Sequence, residues 1–169
     1  MISKLVENAI NAQIKVEEES SRIYLAMASW LETKGFPGAA AFLYRQTEEE
    51  RMHLLKFIKY LNDRGGSAQI KELKAPQTKF KSLKEVFEKV LKHEEFVTAS
   101  INTLYGVTIK AKDYTTSTFL QWFITEQIEE ESTMRSIIDK MALLGEDKSG
   151  YFLIDKELAT LALAPITAV

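Results

Sequence analysis

Apolar residues recur at intervals of three and four through long stretches of this chain, the spacing that puts them on one face of a helix. The pattern predicts helices over residues 3–33, 38–64, 83–111 and 114–145, with a short fifth helix over 150–160. Breakers cluster between these stretches: Gly35, Pro37 and Gly38; Gly65, Gly66 and Pro76; Gly145 and Gly150; then Pro165. Seven Gly and three Pro in 169 residues are roughly half the usual ~12% for the two types together, which favours long helices over many short strands. Ser82 and Glu85 form an S-x-x-E capping box at the start of the third helix. Asp113 is placed to cap the fourth, and Pro37 suits the first turn of the second.

Links of a few residues join the first helix to the second and the third to the fourth, so each pair should form an antiparallel hairpin. The link over 65–82 is different. Its 18 residues can span about 59 Å at ~3.3 Å each, whereas a 27-residue helix is about 40 Å long. It can therefore run the length of a bundle and leave the second and third helices parallel. The expected fold is an all-α four-helix bundle in one domain, 1–169, with a long crossover and a short fifth helix.

A chain of 19.3 kDa that is 46% hydrophobic can bury a sizeable core. The absence of cysteine excludes disulfides and thiolate metal sites, so any metal must be held by nitrogen and oxygen. Twenty-two Lys and Arg against 24 Asp and Glu give a net charge of −2, which is no footprint for nucleic acid or an anionic membrane. Lys71, Lys74, Lys79 and Lys81 in the crossover read as an ordinary solvated loop. Charges interrupt the N-terminus from Lys4 onward, unlike a signal peptide. The longest uncharged run, Phe96 to Ile109, is too short to span a bilayer. A cytoplasmic protein is the expectation.

Reading each helix at seven-residue intervals shows what its inward seam contains. The first gives Ile10, Glu17, Tyr24 and Leu31; the second Leu43, Glu50 and Phe57, with Gln46, His53 and Tyr60 alongside. The third gives Phe87, Glu94 and Ile101, and the fourth Leu120, Gln127, Met134 and Met141 beside Phe123, Glu130 and Ile137. On every helix an apolar seam is broken near its middle by a potential ligand. The breaks repeat: Glu17 and Glu94, Glu50 and Gln127, and His53 and Glu130 each stand 77 residues apart. Ile10 and Phe87, Phe42 and Phe119, and Leu43 and Leu120 share that offset. The two hairpins thus read as copies related by an approximate twofold axis, with a shared site on it.

An isolated ionised carboxylate in a packed interior costs several kcal/mol, and Glu17, Glu50, Glu94 and Glu130 would be four of them. No Lys or Arg lies on these seams. Two divalent cations would balance the four charges, and neutral His53 adds a nitrogen ligand. Glu50 and His53 form an E-x-x-H turn that sets both on one helical face, as dinuclear carboxylate centres in bundles require. Carboxylate plus imidazole suits iron or manganese, though zinc can bind the same groups.

These residues carry a family resemblance that extends to about residue 160. Glu17 with Tyr24, E-E-x-x-H at Glu49 to His53, Glu94, E-Q-x-E-E at Glu126 to Glu130, and the stretches GAAAFL, FLQWF and YFLIDKEL resemble the bacterial and archaeal non-haem ferritins. The resemblance implies a ferritin-like bundle with a ferroxidase centre that oxidises Fe²⁺ with O₂ or H₂O₂ and passes Fe³⁺ to a stored mineral. One iron would lie on Glu17, Glu50 and His53, with Gln127 nearby; the other on bridging Glu50, Glu94 and Glu130. A third iron position maps to Glu49, Glu126 and Glu129, with Glu130 able to contribute. The resemblance further implies a hollow homo-oligomeric cage of 24 subunits.

Two departures narrow the group. The fourth helix lacks the second E-x-x-H of bacterioferritins, and Arg51 follows Glu50 where they carry a haem-ligating Met. No haem is expected, and Met52 reads as packing. Tyr24 reads either as a buried bundle aromatic with a partnered hydroxyl or as a residue that hydrogen-bonds a ligand or supplies an electron; Trp122 reads mainly as packing, and His93 as surface or interface. The uncharged run after Glu157 is expected to be buried between subunits, at least at its start. The alternative is a dinuclear oxidase or peroxidase of the same superfamily with no storage role.

Overall fold

The structure is a computed structural model that describes residues 2–145 and 148–166. Its elements are α1 (Lys4–Thr33), α2 (Pro37–Asp63), α3 (Leu83–Lys110), α4 (Tyr114–Leu144) and α5 (Lys148–Leu161). No strand occurs among the described residues. Helix starts are fixed by short polar side chains: Ser3 Oγ accepts from Val6 N, Ser82 Oγ from Glu85 N, and Asp113 Oδ1 from Thr116 N, each relieving one orphaned amide. At α3 the return contact differs from a simple capping box, because the Glu85 carboxylate accepts from Lys81 N, one residue before the cap.

The turn after α1 passes through Gly35 at φ +80°, in the left-handed region that costs glycine nothing. Across the bundle Gln13 bonds Ser100 and Ser20 bonds His93, so α1 and α3 run antiparallel. Since α1 is also antiparallel to α2, helices α2 and α3 are parallel, and the crossover spans the length between them. Its first residues are pinned to α1, where Asn11 bonds Ser67 O and Gln69 N, and Glu7 accepts from Ser67 N. The Arg64 guanidinium forks onto both Asp113 oxygens at 3.2 Å and locks the end of α2 to the start of α4.

Helix α5 packs on α2 and α4. Both carboxylate oxygens of Asp155 accept from the first amides of α2, Gly38 N at 3.1 Å and Ala39 N at 2.8 Å, in place of a side-chain cap from the chain before α2. A Cβ on Gly38 would lie 1.9 Å from the Asp155 carbonyl oxygen, so only glycine permits this approach. The expectation for the run after Glu157 is corrected in part. Leu158 is 1% exposed within its own chain, because this docking turns it into the core, whereas Leu163 stands exposed. Residues 167–169 of that run lie outside the described residues.

Two apolar clusters fill the bundle. One is built around Tyr24, Phe42, Phe87, Met134 and Leu158, the other around Ile10, Ile14, Phe57, Ile101 and Phe123. Between them lies a polar layer of Glu17, Glu50, His53, Glu94, Gln127 and Glu130, all buried.

A candidate carboxylate and histidine metal centre

Each of the four main helices delivers its polar residue to this layer by the same device, a ligand type at a core position of an otherwise apolar seam. Ligand atoms of Glu17, Glu50 and His53 lie within 4.8 Å of one another. His53 Nδ1 stands 3.9 Å from Glu17 Oε2 and 3.8 Å from Glu50 Oε2, too far for hydrogen bonds. Two ligands about 2.1 Å from a common ion are at most about 4.2 Å apart, so the spacing fits one cation among them. Neither oxygen of Glu50 has a hydrogen-bond partner, and neither does Glu17 Oε2. Buried polar atoms seldom remain unpaired in this way.

Other carboxylate oxygens of the layer are held. Glu17 Oε1 accepts from Gln13 Nε2 at 2.8 Å, and Gln13 in turn accepts from Ser100. Glu94 accepts from the Tyr24 hydroxyl and from Gln127 Nε2, the latter at 3.1 Å. Gln46 Nε2 donates to Glu130 Oε2 at 2.9 Å. Gln127 therefore positions Glu94 through its amide nitrogen, while Gln13 and Gln46 position the two flanking carboxylates. Gln13 and Gln46 drew no role from the sequence. The available signal was a Gln one helical turn before both Glu17 and Glu50; Gln46 was visible on the seam, but its reach to α4 was not.

Burial, then repulsion from Glu50, pushes the Glu17 carboxyl well above its ordinary range. Burial followed by Glu94 and Glu130 does the same to Glu50. Glu94 is raised by burial against the pull of Tyr24 and Gln127, and Glu130 is pushed up to about 8 by burial, Glu94 and Glu49. Desolvation dominates every case. Such a layer holds protons unless a cation takes their place. Tyr24 is fully buried and its phenol is raised by burial and Glu94, so it remains a neutral donor to the carboxylate.

A second group adjoins the first, with oxygens of Glu49, Glu126 and Glu130 within 4.8 Å of one another. Glu49 is buried and Glu126 half-buried; Glu129 is exposed and lies outside this group. On a helix, Glu129 is turned about 100° from Glu130 and about 60° from Glu126 on the side away from the core, so its carboxylate faces outward while Glu130 takes the inward place. His93 is half-buried, bonded to Ser20 at 2.9 Å and edge-on to Tyr24. Trp122 stands edge-on to His53, with ring centroids 5.3 Å apart, and Lys56 Nζ lies 3.4 Å from the Trp122 ring centroid.

Fold and layer together define a helical-bundle protein whose interior gathers carboxylates and an imidazole at a spacing that fits a cation. The ferritin-like domain model matches residues 7–144. A probable bacterial non-heme ferritin-like protein of Haemophilus influenzae is 45% identical over 162 residues, covering 96% of this chain and 98% of its own. A bacterial non-heme ferritin of Campylobacter jejuni is 43% identical over 164 residues, with 97% and 98% covered. Among solved structures, an open pore ferritin from the archaeon Archaeoglobus fulgidus superposes with a TM-score of 0.92 at 37% identity, covering 94% of this chain and 96% of that one. The chain belongs to the ferritin family.

Proposed function

We propose that the protein stores iron, oxidising Fe²⁺ at the buried layer and retaining Fe³⁺ as mineral inside a shell built from 24 copies of itself. Glu17, Glu50 and His53 take one Fe²⁺; Glu50 turns its second oxygen to another, which Glu94 and Glu130 complete. A third position lies on Glu49, Glu126 and Glu130, with Glu129 at its outer edge. The observation that carries this reading is Glu50, 1% exposed and without a donor on either oxygen. The 43% identical relative named a bacterial non-heme ferritin and the 45% identical one named a probable bacterial non-heme ferritin-like protein support it.

Each Fe²⁺ gives up one electron. One O₂ accepts the pair with two protons and leaves as H₂O₂, or one H₂O₂ accepts it with two protons and leaves as two waters. Hard anionic oxygens favour Fe³⁺ over Fe²⁺, so the donor set drives the oxidation. Tyr24, donating to Glu94, keeps that carboxylate oriented during the change of charge. Gln127 adds no charge, which limits how tightly Fe³⁺ is held and lets it move to the store.

Aerobic Fe²⁺ addition to the assembled protein, with ferric absorbance and particle mass followed together, tests this. Iron retained far beyond two per subunit in a large particle is the expected result. Turnover with iron fixed at two per subunit would instead identify an oxidase or peroxidase without a store.

A further inference from the structure

The Glu49, Glu126 and Glu130 group has a neighbour that the metal reading leaves out. Arg45, one turn before Glu49 on α2, has a side chain only 17% exposed, and its Nη1 lies 3.2 Å from Glu49 Oε2. That contact is an ion pair without hydrogen-bond alignment, since Glu49 Oε2 is buried with no donor. The same Nη1 donates to Gln46 Oε1 at 2.9 Å, and Gln46 donates onward to Glu130. One guanidinium nitrogen thus meets one carboxylate of the group directly and a second through an amide.

The other face of the fork points elsewhere. Arg45 Nε donates to Ala164 O at 3.0 Å and Nη2 to Pro165 O at 3.5 Å, both in the tail that follows α5. A rigid planar fork can hold two directions at once in a way a lysine cannot. Here it ties the C-terminal tail, about 120 residues away in sequence, to the edge of the carboxylate group.

We propose that Arg45 is a resident counter-ion for the Glu49, Glu126 and Glu130 group, held in place by the tail carbonyls, and that it sets how tightly this group takes a divalent cation. This rests on the reading of that group as a cation position. A cation seated there meets the Arg45 charge at short range, so its entry requires the guanidinium to give up Glu49. The tail resists that movement. Cations therefore reside on this group weakly and pass through it, while the inner layer, which no Arg or Lys contacts among the described residues, holds them firmly.

Calorimetric titration of the assembled protein with Zn²⁺ alone, a redox-silent probe, separates the possibilities. The parent should bind two equivalents tightly and a further one weakly. Arg45→Gln should tighten the weak class by on the order of tenfold and retain the two tight equivalents, which also reports an intact fold. Arg45→Lys keeps the charge but loses the fork and should fall between. Deleting 164–169 should tighten the weak class in the parent and have no effect in Arg45→Gln, because the tail acts through that side chain. An unchanged weak class in Arg45→Gln, or equal effects of the deletion in both backgrounds, overturns the inference and leaves the inner centre standing. Loss of the two tight equivalents from the parent itself overturns the underlying reading instead.

Discussion

Glu50 is the residue on which function and stability pull apart. Its two oxygens are buried without partners, so in cation-free protein this side chain opposes folding. A buried polar group left without partners carries a desolvation cost of about 1–3 kcal/mol, which an apolar side chain of similar size does not. Glu50→Leu should therefore melt several degrees higher than the parent in the presence of a chelator, while losing saturable Fe²⁺ binding; a lower melting point in chelator would contradict this account of the layer. The pH dependence follows from the same desolvation. The folded Glu130 carboxyl titrates near 8, far above an unfolded carboxyl at ~4.3. For such a raised acid the stabilising contribution is complete below the unfolded value and lost as pH rises through the folded one. Cation-free protein should accordingly lose stability between about pH 4.5 and 8, and divalent cation should reverse that loss. Melting curves across this range, with and without Zn²⁺, measure both.

At the scale of elements, the helices were legible because each seam repeats cleanly and each gap carries Gly, Pro or a cap. The observed bounds differ by only one or two residues from those read from spacing. The polar layer was legible for the same reason: an acid at a core position stands out against Leu and Ile, and the 77-residue offset repeats it. Partners brought from far along the chain were not legible. Asp155 caps α2 from 117 positions away, Arg45 meets a tail carbonyl, and Glu7 and Asn11 pin the crossover, none of which local periodicity encodes. The turn of Glu129 out of its expected group needed the orientation of α4, which spacing gave only as a shared face. Loss of the Asp155 cap should cost about 1–2 kcal/mol, so Asp155→Ala should lower the thermal midpoint and speed amide exchange at Gly38 and Ala39 while leaving the central layer's cation binding in place. Exchange that speeds across all four main helices instead would show that Asp155 supports the whole bundle rather than one junction.

For the whole molecule, the surface around the end of α4 and α5 is more apolar than a free subunit needs. Leu143 is 87% exposed, Phe152 72% and Leu163 84%. Large exposed apolar side chains of this kind mark association surfaces, which supports the proposed shell. Phe152→Asp should shift the particle toward smaller species in sedimentation while retaining helical content; an unchanged particle would move the interface elsewhere. Among the described residues no helix is long and apolar enough to cross a membrane. The central claim, that four buried carboxylates and His53 exist to hold iron, is tested most directly by anomalous scattering at the iron edge from crystals soaked anaerobically in Fe²⁺. The account predicts two adjacent peaks, one against Glu17, Glu50 and His53 and the other against Glu50, Glu94 and Glu130. Iron found only at the surface, with this layer closed around protons, would contradict it.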